Sequence, residues 1–585
     1  MVLIVDELAR MRMFAAGVYA GLTVSSIYAF SIFAAHLRDK YKMSQSDITM
    51  ISTVGNCFLY FNFPTGMLFD YAGPMVVLPI AGACALLGFS LFGLTFSGVI
   101  NTPSATYFAL YNAILYFGCG SMDVSTIMPL MLQFPLDRGY TVLAAKTTSG
   151  LGTAVLMAYF NGWFRHPTSE NTSDNNYAGF AYFVGAQIMF IALLALCVVR
   201  LPAYFPCAWR RRRLTEAEQE ERRATLSLYM RQPASPRRLG TAVGLVLTLL
   251  VFLTTQSIAT AYIKVTHGVR VAISVIALLL MVAFSVVALP FQVLGRYTPV
   301  RATSMNTIGE VVEENACPDT AGGDEAPAPA PAPTPPPQYR SSFWSNLLTI
   351  DLWCMWLTLF GVWGTGTVMI MNVAQIYGSI NYGVTESSTL TLFITIISVG
   401  SAIGRMSMGY LDIVLTRRQR AGKGRTLTTV ALPLCPLLMA VAFLLLAVLP
   451  AKALSLPLFL GGLGNGAGWG LGVLSFRMMY ASDIGKHYNF GFSSGIVSTV
   501  LLNSVMFGGM YDAVAKRRKE APSCGDPECV RTQMFILMGV NIIAIVAAAV
   551  AHVRFARFTA AELLKRNEPC EPLGPGDTDA VQRAQ

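Results

Sequence analysis

The chain has 585 residues, 54% of them hydrophobic and only 13% charged, where an ordinary soluble domain carries roughly 25% charged residues. With a mean hydropathy of +0.53 and long apolar runs recurring from Met13 almost to the end, a set of soluble domains is excluded and the bilayer becomes the expected solvent. The formal charge of +10 sits in short segments between apolar runs, which argues against a nucleic-acid-binding surface and for membrane orientation.

A bilayer core takes about 20 apolar helical residues. The first dozen or so residues end in Arg10 and Arg12, and the apolar run that follows is too long for a signal-peptide core, so it reads as a retained first span. Candidate spans near residues 13–35, 48–69, 75–97, 105–131, 141–160 and 179–199 form an N-terminal six-helix bundle over 1–200. A basic cytoplasmic loop, 201–239, leads to an extra transmembrane hairpin, 240–294, and then to a Pro/Ala-rich cytoplasmic linker, 295–346. Six more spans near 350–376, 388–411, 428–450, 456–480, 490–510 and 532–553 make a C-terminal bundle, 347–555, followed by a tail, 556–585. The expectation is an all-α, multi-pass membrane protein of about fourteen spans.

Lys and Arg in short loops favour the cytoplasm. Arg210, Arg211, Arg212 and Arg213, with Arg417, Arg418, Arg420, Lys423 and Arg425, then place both termini inside, in the plasma membrane or an internal one. The sequon Asn171-Thr172-Ser173 falls outside, used or unused. Lys516, Arg517, Arg518 and Lys519 also fall outside, against the rule. Cys524 and Cys529 share that loop, as a short-range disulfide or as two thiols. The other intramembrane cysteines (Cys57, Cys84, Cys119, Cys197, Cys354, Cys435) read as small apolar fillers. No Cys/His spacing suggests zinc, and no cofactor is expected. In the linker, Ala326-Pro327-Ala328-Pro329-Ala330-Pro331 and Pro335-Pro336-Pro337 favour an extended spacer, with docking of a cytoplasmic partner as the alternative.

Sliding the chain on itself by about 345 residues aligns Gly66…Asp70 with Gly404…Asp412 and Ser149-Gly150 with Ser494-Gly495, as expected for parallel repeats. At this point the chain resembles the major facilitator superfamily and, within it, the nodulin-like group. The loop after span two matches the superfamily pattern at Gly66, Asp70 and Gly73, without the usual basic residues. Nodulin-like features are Tyr28-Ala29-Phe30-Ser31, Tyr41-Lys42-Met43-Ser44-Gln45, Phe134-Pro135-Leu136-Asp137-Arg138-Gly139 with Lys146, Asn372-Val373-Ala374-Gln375-Ile376, and the stretch from Ser482 to Phe490. The resemblance implies the major facilitator fold, two six-helix bundles with the hairpin between them, and alternating-access transport of a small-molecule solute.

Glycines at 462, 466, 470 and at 464, 468, 472 put two small-residue series on span ten, for static packing or for bending during gating. Gly491-Phe492-Ser493-Ser494-Gly495 matches a hydrolase pattern but opens a membrane span, so an enzyme is not expected. Ionisable residues inside spans are expensive and therefore candidates. Asp123 lies about 7 Å to the cytoplasmic side of mid-span four and is expected either to carry a proton or cation or simply to bond neighbouring helices. Arg405 and Arg477 lie near cytoplasmic helix ends, to gate or to snorkel; Asp70 and Asp412 join them as gating candidates. Tyr28, Asn56, Asp123, Trp363, Asn372 and Gln375 are the expected solute contacts, the resemblance falling on Tyr28, Asn372 and Gln375. With no Lys or Arg expected near the middle of any span, a neutral or proton-accompanied polar solute is favoured over a bare anion. A proton-linked organic anion carrier and a solute receptor without transport are the alternatives.

Overall fold

The computed structural model describes residues 3–101, 104–167, 174–232, 234–263, 265–295, 300–302, 337–384, 387–421, 423–520 and 524–567. The Asn171 sequon, the Ala/Pro repeat and the tail beyond 567 lie outside these residues.

The first expected span is broken. Asp6 caps α1 (Glu7–Ser25) by accepting from the amides of Leu8 and Ala9, a 3₁₀ turn covers Ser26–Ala29, and α2 (Phe30–Tyr41) resumes the path. The second breaks as well: a Ser44–Asp47 capping box starts α3 (Gln45–Tyr60), and α4 (Phe63–Ala72) restarts with a proline in its first turn, where a missing N–H costs nothing. Then follow α5 (Pro74–Phe96), α6 (Ala105–Gln133), α7 (Arg138–Thr141), a π-helical turn Val142–Lys146, α8 (Thr147–Tyr159), a second π-helical turn Phe160–Phe164, and α9 (Tyr177–Val198). Short helices α10 (Ala208–Arg211), α11 (Glu216–Ala224) and α12 (Leu226–Arg231) cross the basic loop to the hairpin α13 (Pro236–Tyr262) and α14 (His267–Ala283).

The second half runs α15 (Phe343–Asn346), α16 (Ile350–Met371), α17 (Val373–Ile380), α18 (Ser387–Arg420), α19 (Leu434–Val448), α20 (Ser455–Met479), α21 (Ile484–Ser498), a π-helical stretch Thr499–Gly508, α22 (Gly509–Arg518) and α23 (Glu528–Asn567). A two-stranded antiparallel ribbon, β1 (Leu3–Val5) with β2 (Val300–Ala302), is the sheet among the described residues.

Among the described residues, ten helices are long and apolar enough to cross a bilayer. The other four expected spans, broken α1–α2, broken α3–α4, the π-interrupted α7–α8 stretch and glycine-rich α20, are helical but are not among those ten. They supply nine of the sixteen residues that line the cavity between the halves.

Within the first half α5 packs on α6 and α9, and α1 on α6 and α8; within the second α18 packs on α20, and α23 on α16 and α19. The α18–α20 contact is the densest, because glycines on both helices let backbones approach. The hairpin is tied down by buried Arg238, which donates to the carbonyls of Val287 and Leu289, each at 2.7 Å. Cys524 and Cys529 form a disulfide, and Arg518 pairs with Asp526 and Glu528, offsetting part of the basic cluster that runs against the charge rule.

Candidate functional site

A cavity opens between the halves where the interrupted helices meet. Its walls include Asn56 and Tyr60 of α3, Asp123 of α6, Lys146 and Ser149 at the start of α8, Arg405 of α18, Asn465 and Trp469 of α20, and Phe492 of α21. The first surprise is Lys146. It stands in the π-helical turn that opens the fifth span, and its Nζ donates to both carboxylate oxygens of Asp123 at 2.7 Å, with the two side chains 4% and 9% exposed. The expectation that Asp123 stands without a counter-cation is therefore wrong: a lysine near the beginning of the counted span is carried into the cavity.

Two groups from the second half complete the cluster. Nζ of Lys146 also donates to the Tyr488 hydroxyl at 3.0 Å, and that hydroxyl donates to Oδ2 of Asp123 at 2.8 Å. Arg405 is 5% exposed and does not snorkel. Its Nη1 donates to Ser149 Oγ at 2.7 Å and to the Lys146 carbonyl at 3.1 Å, and its guanidinium lies 5.8 Å from the Trp469 ring. Arg405 is thus a cavity residue that bonds the opposite half rather than a group at a helix end. Buried charge is costly unless paired and hydrogen-bonded. Two cations face one carboxylate here, so the walls carry one more positive than negative group.

The remaining expected contacts divide. Asn56 borders the cavity, its Nδ2 3.9 Å from Met371 Sδ. Trp363, 1% exposed, stands behind the wall and stacks on Trp469 with ring centres 4.2 Å apart. Asn372 donates to Asn503 at 2.7 Å just past the cavity, and neither it nor Gln375 is among the lining residues; their neighbour Met371 is. Tyr28 lies in the 3₁₀ turn Ser26–Ala29, and its side chain is outside the described part of the structure.

Beyond the cavity, at the end that gathers the basic loop and the Arg417–Arg420 cluster, the halves touch in two places. At one, Asp70 at the foot of α4 accepts from the backbone amides of Gly485 and Lys486 at 3.0 and 2.9 Å, capping α21 from the other half, with Lys486 Nζ 4.0 Å away. At the other, Asp412 of α18 accepts from Arg138 Nε at 3.3 Å and Thr428 Oγ1 at 2.6 Å. Each carboxylate is flanked by facing glycines. A Cβ at Gly66 would lie 2.5 Å from the Gly485 carbonyl oxygen, and one at Gly409 2.7 Å from that of Gly139. Arg477 of α20 stands near Tyr204 of the basic loop, whose hydroxyl donates to the Leu132 carbonyl. This end is closed.

No protein-family model matches the chain, and no curated protein matches it in sequence. Solved structures do. A double-tryptophan mutant of XylE matches with a TM-score of 0.53 at 10% identity, over 94% of this chain and 98% of that one. The major facilitator superfamily proton:xylose symporter XylE bound to 6-bromo-6-deoxy-D-glucose matches with a TM-score of 0.50 at 9% identity, over 92% and 94%. The xylose transporter XylE from E. coli in a partially occluded inward-open conformation gives 0.49 at 10% identity, over 92% and 98%. At these identities the likeness is one of architecture, and the chain is an all-helical, multi-pass membrane protein with the major facilitator fold.

Proposed function

We propose that this chain is a secondary transporter, of the nodulin-like kind suggested by its motifs, that carries a small organic anion together with a proton by alternating access. The observation that carries this reading is the cavity cluster of Lys146 and Arg405 against the single carboxylate Asp123. A carboxylate solute can accept from Lys146 or Arg405, and a proton on Asp123 removes the competing anion from Lys146. The weight thus moves from a neutral solute to the proton-linked anion, because the cations held to be missing are present. Asn56, Tyr60 and Asn465 supply neutral hydrogen-bonding groups, and Trp469 and Phe492 an apolar wall, as small-molecule sites require.

The test is uptake by the purified protein in lipid vesicles, with the outside acidified and radiolabelled mono- and dicarboxylates compared with neutral sugars. Saturable carboxylate accumulation that follows the proton gradient is expected. Uptake of neutral sugars alone would refute the anion reading, and binding without flux would make the protein a receptor. We also place the basic end, both termini and the Pro-rich linker in the cytoplasm. A protease site inserted near Pro333 should be protected in intact cells.

A further inference from the structure

We infer that Tyr488 is the positioning residue through which the charge state of the cavity controls the closed end. This rests on the transporter reading and adds to it the link between cavity and gate. Tyr488 belongs to the second half, yet its hydroxyl is held by Lys146 and Asp123 of the first, at 3.0 and 2.8 Å. Three residues earlier, about 4.5 Å along the same helix, the Gly485 and Lys486 amides are held by Asp70, also of the first half. One short helix, α21, therefore carries both a cavity tether and a gate tether.

The two bonds reinforce each other because α21 moves as one body. A rotation that draws Tyr488 from Asp123 also draws the amides from Asp70. The cavity tether depends on charge: Tyr488 accepts from a lysine ammonium and donates to a carboxylate, and bonds to ionised partners are about twice as strong as neutral ones. Protonating Asp123 turns the acceptor neutral, and an anionic solute that engages Lys146 removes the donor. Either event weakens the hold on α21. The other charged or titratable groups bordering the cavity tether are Arg405 from α18 and Tyr60 from α3; at the gate tether Asp483, just ahead of α21, and Lys486 and His487 within it stand with Asp70. Arg405 is occupied by Ser149 and the Lys146 backbone, and its guanidinium stays charged.

The ring of Tyr488 packs edge-on to Phe492 at 4.9 Å and to Phe476 at 6.3 Å, so Tyr488→Phe removes the tether and keeps the packing. The experiment places spin labels at two exposed positions of the closed end, Arg211 on the loop helix α10, which packs against α4 of the first half, and Arg418 of α18 in the second, in a background with the other free cysteines replaced. Label distances are measured at about pH 7.5 with no solute, with and without Asp123→Asn, which removes the carboxylate's charge and keeps its shape. In the parent background Asp123→Asn should lengthen them. In Tyr488→Phe the open population should rise about ten-fold or more, the loss expected for a hydrogen bond to a charged group, and adding Asp123→Asn should have no further effect. Phe476→Leu, which disturbs the ring's packing but leaves the hydroxyl, should keep the parental response. Parental behaviour in Tyr488→Phe, a parent protein whose distances ignore Asp123→Asn, or a Phe476→Leu variant that imitates Tyr488→Phe would each overturn the assignment. Because no solute is present, a protein that opens with Asp123→Asn but accumulates no solute would refute the carrier reading and leave the Tyr488 linkage standing.

Discussion

The closed end and the cavity above it make an instructive pair. At the closed end the two halves meet twice on one plan: a glycine of α4 or α18 against a glycine at the start of α21 or α7, with a carboxylate, Asp70 or Asp412, bonding across to the other half. Roughly 345 residues separate the equivalent positions, as expected for a duplicated bundle. In the cavity that equivalence is gone. The first half contributes the buried pair Asp123–Lys146, whereas the second contributes Arg405, Trp469 and Phe492. On the transporter reading, halves that rock about a shared axis need matching contacts, but a solute needs its chemistry only once. Geometry is conserved between the repeats, and charge is not.

The sharpest way to break this contrast is to unbalance the charged side. Lys146→Ala leaves a carboxylate buried without its partner, which costs about 4 kcal/mol. Thermal unfolding in detergent should show a large loss, uptake should vanish, and adding Asp123→Asn should restore much of the stability but not the uptake. A single variant as stable as the parent would mean that water already reaches the pair.

Next come the matched glycines. Gly66→Ala and Gly409→Ala each drive a methyl group into a backbone oxygen, so each should disfavour the closed end by about 1–3 kcal/mol, the usual range for overpacking. Gly424→Ala, with open space around it, should do nothing. Modification of a cysteine introduced at Leu143, buried against Gly409, reads the closure; strongly unequal effects of the two alanines would break the equivalence of the two contacts.

The smallest effects belong to the carboxylates themselves. Asp70→Asn keeps an acceptor for the α21 amides and loses only charge, for about 0.5–1 kcal/mol, the range for a charge at a helix terminus. Asp412→Asn should cost a similar amount by weakening the pair with partly exposed Arg138. Both should raise accessibility at the closed end without changing solute affinity in equilibrium binding. A changed affinity in either variant would tie that carboxylate to the solute site.

The apolar period and the loop charges made the helices legible, and the repeat exposed Asp70 and Asp412, because a glycine followed within a few residues by a carboxylate at the foot of a span is a one-dimensional signal. The cavity was harder to read. Lys146 lies near the start of its span by residue count, and only the π-helical turn and the broken neighbouring helices bring it against Asp123. Arg405 looked like a helix-end cation because its distance from the loop is visible in sequence and its cross-half partners are not. Tyr488 lies within the Ser482–Phe490 motif, yet a tyrosine in an apolar helix carries no mark of the carboxylate it reaches. Asn372 falls beside the cavity for a related reason: Met371 is one position away, and around a helix one position turns a side chain through about 100°. Gln375 lies further along, in the separate helix α17.

The hairpin has a consequence for the surrounding membrane. α13 and α14 pack on α8 of the first half, α13 also meets α18 of the second, and the segment after α14 reaches α1. The seam between α8 and α18 is therefore roofed by protein. The seam on the other side, between α3–α4 and α21, carries no such hairpin among the described residues. When the halves part, acyl chains can press into one crevice but not the other, so the pressure of the lipid tails on the moving bundles is one-sided, and bilayer thickness should act on the conformational cycle chiefly through the α4–α21 face.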